Sequence, residues 1–187
     1  MLLGVALAAI AALVGVSLAL RKSLAREQRL ARTDVVTGVR TARAFYESAA
    51  AEIERARRYP HPFSVAAVDL GTRVGDELLR ATAAALRGAL RATDLIARLG
   101  RDEFIVLMPE TPAPAAKVVL EKLRTGLFEV RTPDDRQIAV SIGGVTFATP
   151  PSTVDDIVRA ADERIAEAKA TGIASHVSWN APAPDAR

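Results

Sequence analysis

The 187-residue chain contains no cysteine and only two histidines, His61 and His176. Disulfide bonds, thiol catalysis and a zinc site built from cysteine and histidine are therefore excluded, and any bound metal would be held by carboxylates. Aromatic residues make up only 4% of the chain, but apolar residues make up 50%, which is enough for one domain with a real core. Charge is absent from residues 1–20, so every charged residue follows them.

The uncharged segment 1–20 is long enough to cross a membrane, because a helix rising 1.5 Å per residue would span about 30 Å. A cleavable signal peptide is the alternative, but no basic residue precedes the apolar run and no clear A-x-A motif separates it from Arg21 and Lys22. We therefore expect a single-pass transmembrane anchor at 1–20 and a juxtamembrane helical stalk at 21–33.

The basic residues are concentrated next to this apolar segment. Residues 21–32 hold five basic side chains against one acidic side chain, a net charge of +4, so residues 33–187 must sum to −1 to give the total of +3. The cluster predicts an inner-membrane protein whose domain faces the cytoplasm. A nucleic-acid-binding domain would carry its basic excess on the folded part, so we expect no nucleic acid among the partners.

Hydrophobic periodicity predicts alternating helices and strands in the rest of the chain. Predicted helices cover residues 41–58, 75–90, about 116–127 and 152–172, the last capped by Ser152 and Asp155. Predicted strands cover residues 63–70, 95–99, 103–108, 137–149 and 174–179. The second and third of these strands would form a hairpin, which makes the pattern α/β with an antiparallel element in the middle. Residues 179–187 are expected to be a disordered tail.

The predicted hairpin tip reads GRDEF at residues 100–104, which resembles the GGDEF signature of diguanylate cyclases. Other pieces follow in the family's order: Asp34 to Gly38 resembles its DxLTG turn, Asp69 ends the strand before the hairpin, and Gly75-Asp76 and Ala168-Lys169 resemble its GD and AK. The resemblance covers about residues 33–178, and we assign 34–178 as a GGDEF-like domain. It implies a palm like that of nucleotidyl cyclases, a central mixed sheet flanked by helices.

The resemblance also implies roles for individual residues. Active members of the family condense two GTP into cyclic di-GMP as a dimer. Asp69, the carbonyl of Leu70 and Asp102 would hold Mg²⁺ or Mn²⁺, and such hard cations prefer oxygen ligands. Glu103 would assist catalysis. Asp76 would bind guanine, and Lys169 would bind phosphate.

Three features depart from the family pattern. The family's DxDxFKxxNDxxGHxxGD would separate Asp69 from Asp76 by 17 positions, whereas here they are 7 apart. The ten absent residues include a phosphate-binding lysine and a guanine-binding asparagine. Arg101 replaces the second glycine of GGDEF, and Ile173 stands where the family has an arginine that contacts phosphate.

A second feature resembles the inhibitory RxxD site at which active members of the family often bind cyclic di-GMP. Arg91 and Asp94 end five residues before the GRDEF motif, in the family's register, and Lys122 falls where many relatives have a further arginine of this site. An arginine fork can donate to guanine O6 and N7, while a carboxylate can accept from guanine N1 and N2.

Three functions are compatible with these residues. The first is a membrane-anchored, degenerate GGDEF domain that binds cyclic di-GMP as a receptor or regulator. The second is an active diguanylate cyclase that uses GTP and Mg²⁺ or Mn²⁺. The third is a module that docks a protein partner, or a second copy of the chain, without nucleotide. The RxxD pair favours the first, the acidic residues favour the second, and the absent ten residues favour either non-enzyme.

Overall fold

A computed structural model of the chain describes residues 32–71, 74–132, 134–170 and 175–180. The predicted anchor at 1–20, nearly all of the stalk and Ile173 lie outside the described residues. Within the ranges that are described, no helix is long and apolar enough to cross a membrane.

Ten elements alternate along the chain. The strands are β1 (Arg40–Thr41), β2 (Phe63–Asp69), β3 (Leu95–Arg98), β4 (Glu103–Met108), β5 (Val140–Phe147) and β6 (Ser175–Asn180). The helices are α1 (Ala42–Arg58), α2 (Asp76–Ala89), α3 (Ala113–Phe128) and α4 (Val154–Ala170). These elements confirm the predicted α/β class and the hairpin, which is formed by β3 and β4.

The strands form one mixed sheet in the order β1-β3-β4-β2-β5-β6. β2 lies between β4 and β5 and is antiparallel to both, while the two outer pairs, β1 with β3 and β5 with β6, are parallel. Asp69 at the end of β2 is therefore opposite Glu103 on one side and Ser141 on the other.

Helices cover both faces of this sheet. Phe63, Val65 and Ala67 of β2 pack with α1 and α4 on one face. Ala66 and Val68 of the same strand pack with α2 and α3 on the other. Both sets of side chains are buried, which explains why β2 has apolar residues on both faces and an uninterrupted apolar stretch from Val65 to Val68.

Local signals set the ends of the helices. Pro60 and Pro62 follow α1, where the missing amide hydrogens prevent continuation of the helix. The cap of α4 differs from the prediction: the Thr153 hydroxyl accepts from the Asp156 amide, and Asp156 accepts in return from the Thr153 amide and hydroxyl. Thr153 and Asp156 thus replace the predicted Ser152 and Asp155, because the helix starts at Val154.

The sheet also contains one strand that was not predicted and one that continues past its predicted end. β1 was not predicted, because two residues carry no periodic signal. β6 continues through Asn180, two residues into the range assigned to the tail, and residues 181–187 lie outside the described part.

Candidate active site and nucleotide-binding cavity

The end of β2 and the tip of the β3–β4 hairpin meet at one edge of the sheet. Asp69 and Glu103 are cross-strand partners, and the Leu70 amide donates to the Asp102 carbonyl at 3.2 Å. Two segments separated by more than thirty residues in sequence thus bring three acidic residues to one edge. This is the convergence that the motifs predicted.

The hairpin tip is held by Arg98. Its guanidinium donates to the Gly100 carbonyl at 3.0 Å and to the Arg101 carbonyl at 2.5 Å. A Cβ atom at Gly100 would lie 2.6 Å from Oε2 of Glu103, so glycine leaves the space that this carboxylate occupies. Arg101 itself is exposed.

Arg98 also connects the tip to the turn at Asp34. One guanidinium nitrogen lies 3.3 and 3.4 Å from the two Asp34 oxygens. Asp34 accepts from the amide and the hydroxyl of Thr37 at 2.9 and 2.6 Å. Burial raises the pKa of Asp34, but the hydrogen bonds from Thr37 and the charge of Arg98 outweigh it, so the net pKa is lowered. The Asp34 turn therefore stabilises the hairpin through its contact with Arg98.

Lys169 of α4 reaches the same edge. Its ammonium lies 2.8 Å from Oδ2 of Asp69, while Oδ1 of Asp69 accepts from the Gly71 amide at 2.8 Å. Both oxygens of this candidate metal ligand are therefore engaged, one of them by a cation of the protein itself.

A cleft of about 590 Å³ opens beside this ion pair, between α1, α4 and the hairpin. Asp69, Glu103 and Lys169 line it together with Tyr46 and Asp162. Desolvation raises the pKa of Glu103, and the charges of Asp69, Asp162 and Asp102 raise it further, while Lys169 opposes them. Desolvation likewise raises the pKa of Asp162, which Lys169 lowers in part. The cleft is an acidic site with one lysine in it.

Asp162 was not identified from the sequence. It precedes Lys169 by seven residues on α4, a spacing that puts both side chains on the same helix face, two turns apart. This spacing was the signal that could have identified it.

Asp76 lies apart from the other candidate substrate-binding residues. It is the first residue of α2, it is exposed, and its carboxylate lies 3.8 Å from Arg80. It lines a different cavity, with Thr132 and Arg136, and not the cleft that holds Glu103 and Lys169.

The donor set suits a hard cation in part. Carboxylate and carbonyl oxygens of Asp69, Leu70 and Asp102 are the ligand type that Mg²⁺ and Mn²⁺ prefer. Within the described part of the chain, however, no three acidic or histidine side chains are grouped closely enough to hold a metal. The described residues thus offer Asp69 and Asp102 as carboxylate ligands, with the first already paired with Lys169.

Arg91 and Asp94 form a tight turn between α2 and β3. Oδ2 of Asp94 accepts from the Arg91 amide at 2.9 Å, and the Asp94 amide donates to the Arg91 carbonyl at 3.0 Å. Both residues line a cavity of about 450 Å³ that also contains Arg40 and Arg87. Lys122, the predicted third member of this site, lines a separate groove between α2 and α3, with Ala85 and Gly88.

Comparisons with known proteins agree with this geometry. The family described as "Diguanylate cyclase, GGDEF domain" matches residues 31–175. Response regulator PleD of Caulobacter vibrioides is 31% identical over 168 residues, covering 82% of this chain and 37% of that protein. Probable diguanylate cyclase DgcC of Escherichia coli is 29% identical over 159 residues, covering 79% of this chain and 43% of that protein. The chain thus spans less than half the length of these relatives.

Solved structures show the same fold. Diguanylate cyclase SiaD of Pseudomonas aeruginosa, solved with its activator SiaC, has a TM-score of 0.74 at 25% identity and covers 89% of this chain and 70% of that one. DgcB of Caulobacter crescentus, solved in complex with c-di-GMP, has a TM-score of 0.72 at 21% identity and covers 92% and 98%. With its mixed sheet, its hairpin motif and a family match over most of its length, the chain belongs to the diguanylate cyclase GGDEF domain family.

Proposed function

We propose that the chain is a membrane-anchored, degenerate GGDEF domain that binds cyclic di-GMP at Arg91 and Asp94 as a receptor or regulator and does not synthesise it. The observation that carries the proposal is the cavity at the turn between α2 and β3. Arg91 and Asp94 line it together, and the Arg91 guanidinium has no ion-pair partner among the described residues. An arginine fork and a carboxylate are thus available for the edge of a guanine base.

The proposed loss of synthesis follows from the shortened link between β2 and α2. Only six residues separate Asp69 from Asp76, and Asp76 lines a different cavity from Glu103 and Lys169. A substrate bound by Lys169 in the cleft would therefore lack the guanine contact that the family resemblance assigns to Asp76. Each lost directional contact costs on the order of 1–3 kcal/mol, so several together would reduce turnover by orders of magnitude.

The membrane part of the proposal rests on sequence alone. Residues 1–20 carry no charge, and the five basic residues that follow favour the cytoplasmic side. An anchored receptor would respond to cyclic di-GMP at the membrane surface.

Calorimetric titration of cyclic di-GMP into the 187-residue chain tests the receptor. We expect binding, and Arg91→Ala should weaken it roughly 5- to 150-fold, because it removes a bidentate guanine contact of about 1–3 kcal/mol. Arg91→Lys should restore little, since an ammonium replaces a planar fork. Asp102→Asn is the matched control, and it should leave the affinity unchanged.

Two outcomes would contradict the proposed receptor function. If the chain does not bind cyclic di-GMP at tens of micromolar ligand, a protein-docking module becomes the better description. If Arg91→Ala and Asp102→Asn weaken binding equally, the ligand is not held at the RxxD pair.

An active cyclase is the second candidate, and the cleft that brings Asp69, Glu103 and Lys169 together favours it. In that case Asp69, the Leu70 carbonyl and Asp102 would hold Mg²⁺ or Mn²⁺, which would neutralise triphosphate charge. Glu103 would assist catalysis and Lys169 would contact GTP, whereas Asp76, to which the resemblance assigns the guanine contact, lines a different cavity. We expect no cyclic di-GMP when the chain is incubated with GTP and either metal. Product that accumulates with time, and that Glu103→Gln abolishes, would establish the cyclase and contradict our proposal.

A further inference from the structure

The cavity at Arg91 contains more positive charge than the RxxD pair requires. Arg40 enters it from β1, which runs parallel to β3, and Arg87 enters it from the last turn of α2. With Arg91, three arginines and a single acidic residue, Asp94, line a cavity of about 450 Å³. Neither Arg40 nor Arg87 is part of the predicted RxxD site.

Among the residues that the structure describes, only Asp94 offsets this charge within the cavity. None of the three arginines forms an ion pair with any residue of the described ranges. Arg87 donates to the Thr37 carbonyl at 2.9 Å, a contact that fixes the guanidinium but leaves its charge in place. One oxygen of Asp94 already accepts from the Arg91 amide. Three arginines and one carboxylate give the cavity lining a net positive charge, so a bound anion would be favoured at this position.

We propose that Arg40 and Arg87 form a phosphate-binding subsite next to the RxxD pair, which binds the phosphodiester groups of a cyclic dinucleotide. This inference rests on the proposed receptor function and extends it. In this arrangement Arg91 and Asp94 recognise the base, whereas Arg40 and Arg87 bind phosphate whatever the base. These two arginines thereby take the place of Lys122, which lines another groove.

Guanidinium groups suit this role, because they donate in a planar fork that matches two phosphate oxygens. The Thr37 contact already orders Arg87, which reduces the entropy lost when phosphate binds. Arg40 has no such restraint among its side-chain contacts in the described part, so its substitution tests the subsite without disturbing the turn at Asp34.

The test is calorimetric titration of the 187-residue chain with cyclic di-GMP at low and high salt. Arg40→Gln should weaken binding about 3- to 20-fold at low salt, as expected for the loss of one charge-assisted contact. Its affinity should also depend less on salt than that of the wild type, because one fewer charge contacts phosphate. Arg40→Lys should retain part of the affinity.

Arg80→Gln is the matched control. Arg80 is exposed on α2 outside the cavity, and its substitution removes the same charge. The control should bind cyclic di-GMP with wild-type affinity, and thermal unfolding of every variant should match that of the wild type. Cyclic di-AMP, which has the same phosphodiester ring and a different base, should bind more weakly than cyclic di-GMP and should lose the same factor in Arg40→Gln.

The failures of the two proposals can be distinguished. If the wild type binds cyclic di-GMP, Arg91→Ala weakens binding as expected and Arg40→Gln behaves like Arg80→Gln, the phosphate subsite is wrong but the receptor proposal is retained. If the wild type does not bind cyclic di-GMP, the receptor function and the subsite are both wrong.

Discussion

At the residue scale, desolvation and the neighbouring acidic residues raise the pKa of Glu103, and this raised pKa determines how stability responds to pH. Because the folded-state pKa of Glu103 is raised, the unfolded chain ionises first as the pH rises. Below the ordinary carboxyl range, Glu103 is protonated in both states and does not reduce the free energy of unfolding. As the pH rises through the raised pKa, the charged carboxylate lowers that free energy. Above the raised pKa, this loss of stability is complete.

We expect Glu103→Gln to stabilise the fold at pH 7, by no more than about 1 kcal/mol because the side chain is exposed to solvent. The gain should vanish below about pH 4, where the wild-type carboxyl is protonated as well. Urea unfolding of both proteins at several pH values measures the difference. A variant that is less stable than the wild type at pH 7 would contradict the account that the Glu103 carboxylate destabilises the fold.

Glu77→Gln is the control with the opposite expectation. Glu77 lies in the first turn of α2, where a carboxylate interacts favourably with the helix dipole. Its substitution should cost a few tenths of a kcal/mol at neutral pH. Opposite signs for the two variants would assign the gain at Glu103 to its surroundings and not to the loss of any carboxylate.

The residues of the cleft were predicted where a motif fixed them and missed where only spatial proximity does. Asp69, Glu103 and Lys169 are motif positions, and the structure brings them together. Asp76 and Lys122 are also motif positions, but the structure places them in other cavities, because spacing in sequence does not specify the path of the link between β2 and α2 or the rotation of a helix. Asp162 belongs to no motif and enters the cleft only through the packing of α4.

At the element scale, Gly143 sets the distance between α4 and the sheet. A Cβ atom there would lie 2.6 Å from the Ile165 amide nitrogen and 2.7 Å from the Ala161 carbonyl oxygen. Both are backbone atoms, which cannot rotate away. Since α4 also carries Asp162 and Lys169, its packing against β5 determines where these side chains lie relative to Asp69 and Glu103.

We therefore expect Gly143→Ala to destabilise the fold by about 1–3 kcal/mol, because the helix must move away from the sheet to admit a methyl group. The same movement should change the contact between Lys169 and Asp69. Denaturant unfolding measures the first effect, and a shift in the titration of Glu103 by NMR measures the second.

Gly88→Ala is the corresponding control on α2. Nothing lies within 4 Å of a Cβ atom at Gly88, so alanine should fit and should raise stability by up to about 1 kcal/mol through its higher helix propensity. If Gly143→Ala also raised stability, the close approach of the α4 backbone to Gly143 would not require a glycine at this position.

The order of elements along the chain could be predicted, but their order in the sheet could not. Periodicity in residues 42–58 and 63–69 reports one helix and one strand, since local spacing contains that information. The position of β2 between β4 and β5 depends on contacts between distant segments. The hydrogen bond between Arg98 and Asp34 joins residues 64 positions apart, and local sequence patterns cannot predict it either.

At the scale of the whole chain, charge and hydropathy divide the sequence into two parts of different composition. The uncharged residues 1–20 and the +4 segment that follows precede a domain with almost no net charge. A nearly neutral domain is not drawn to anionic lipid by its net charge, so the membrane attachment that we propose would depend on the N-terminal segments.

We accordingly expect the chain to fractionate with the inner membrane, and removal of residues 1–20 to release it. A C-terminal reporter enzyme that is active only outside the cytoplasm should stay inactive, because the basic cluster retains its flank on the cytoplasmic side. A C-terminal fluorescent protein that folds in the cytoplasm is the positive control. An active external reporter would reverse the orientation, and a mature protein beginning near Arg21 would identify residues 1–20 as a cleaved signal peptide instead of an anchor.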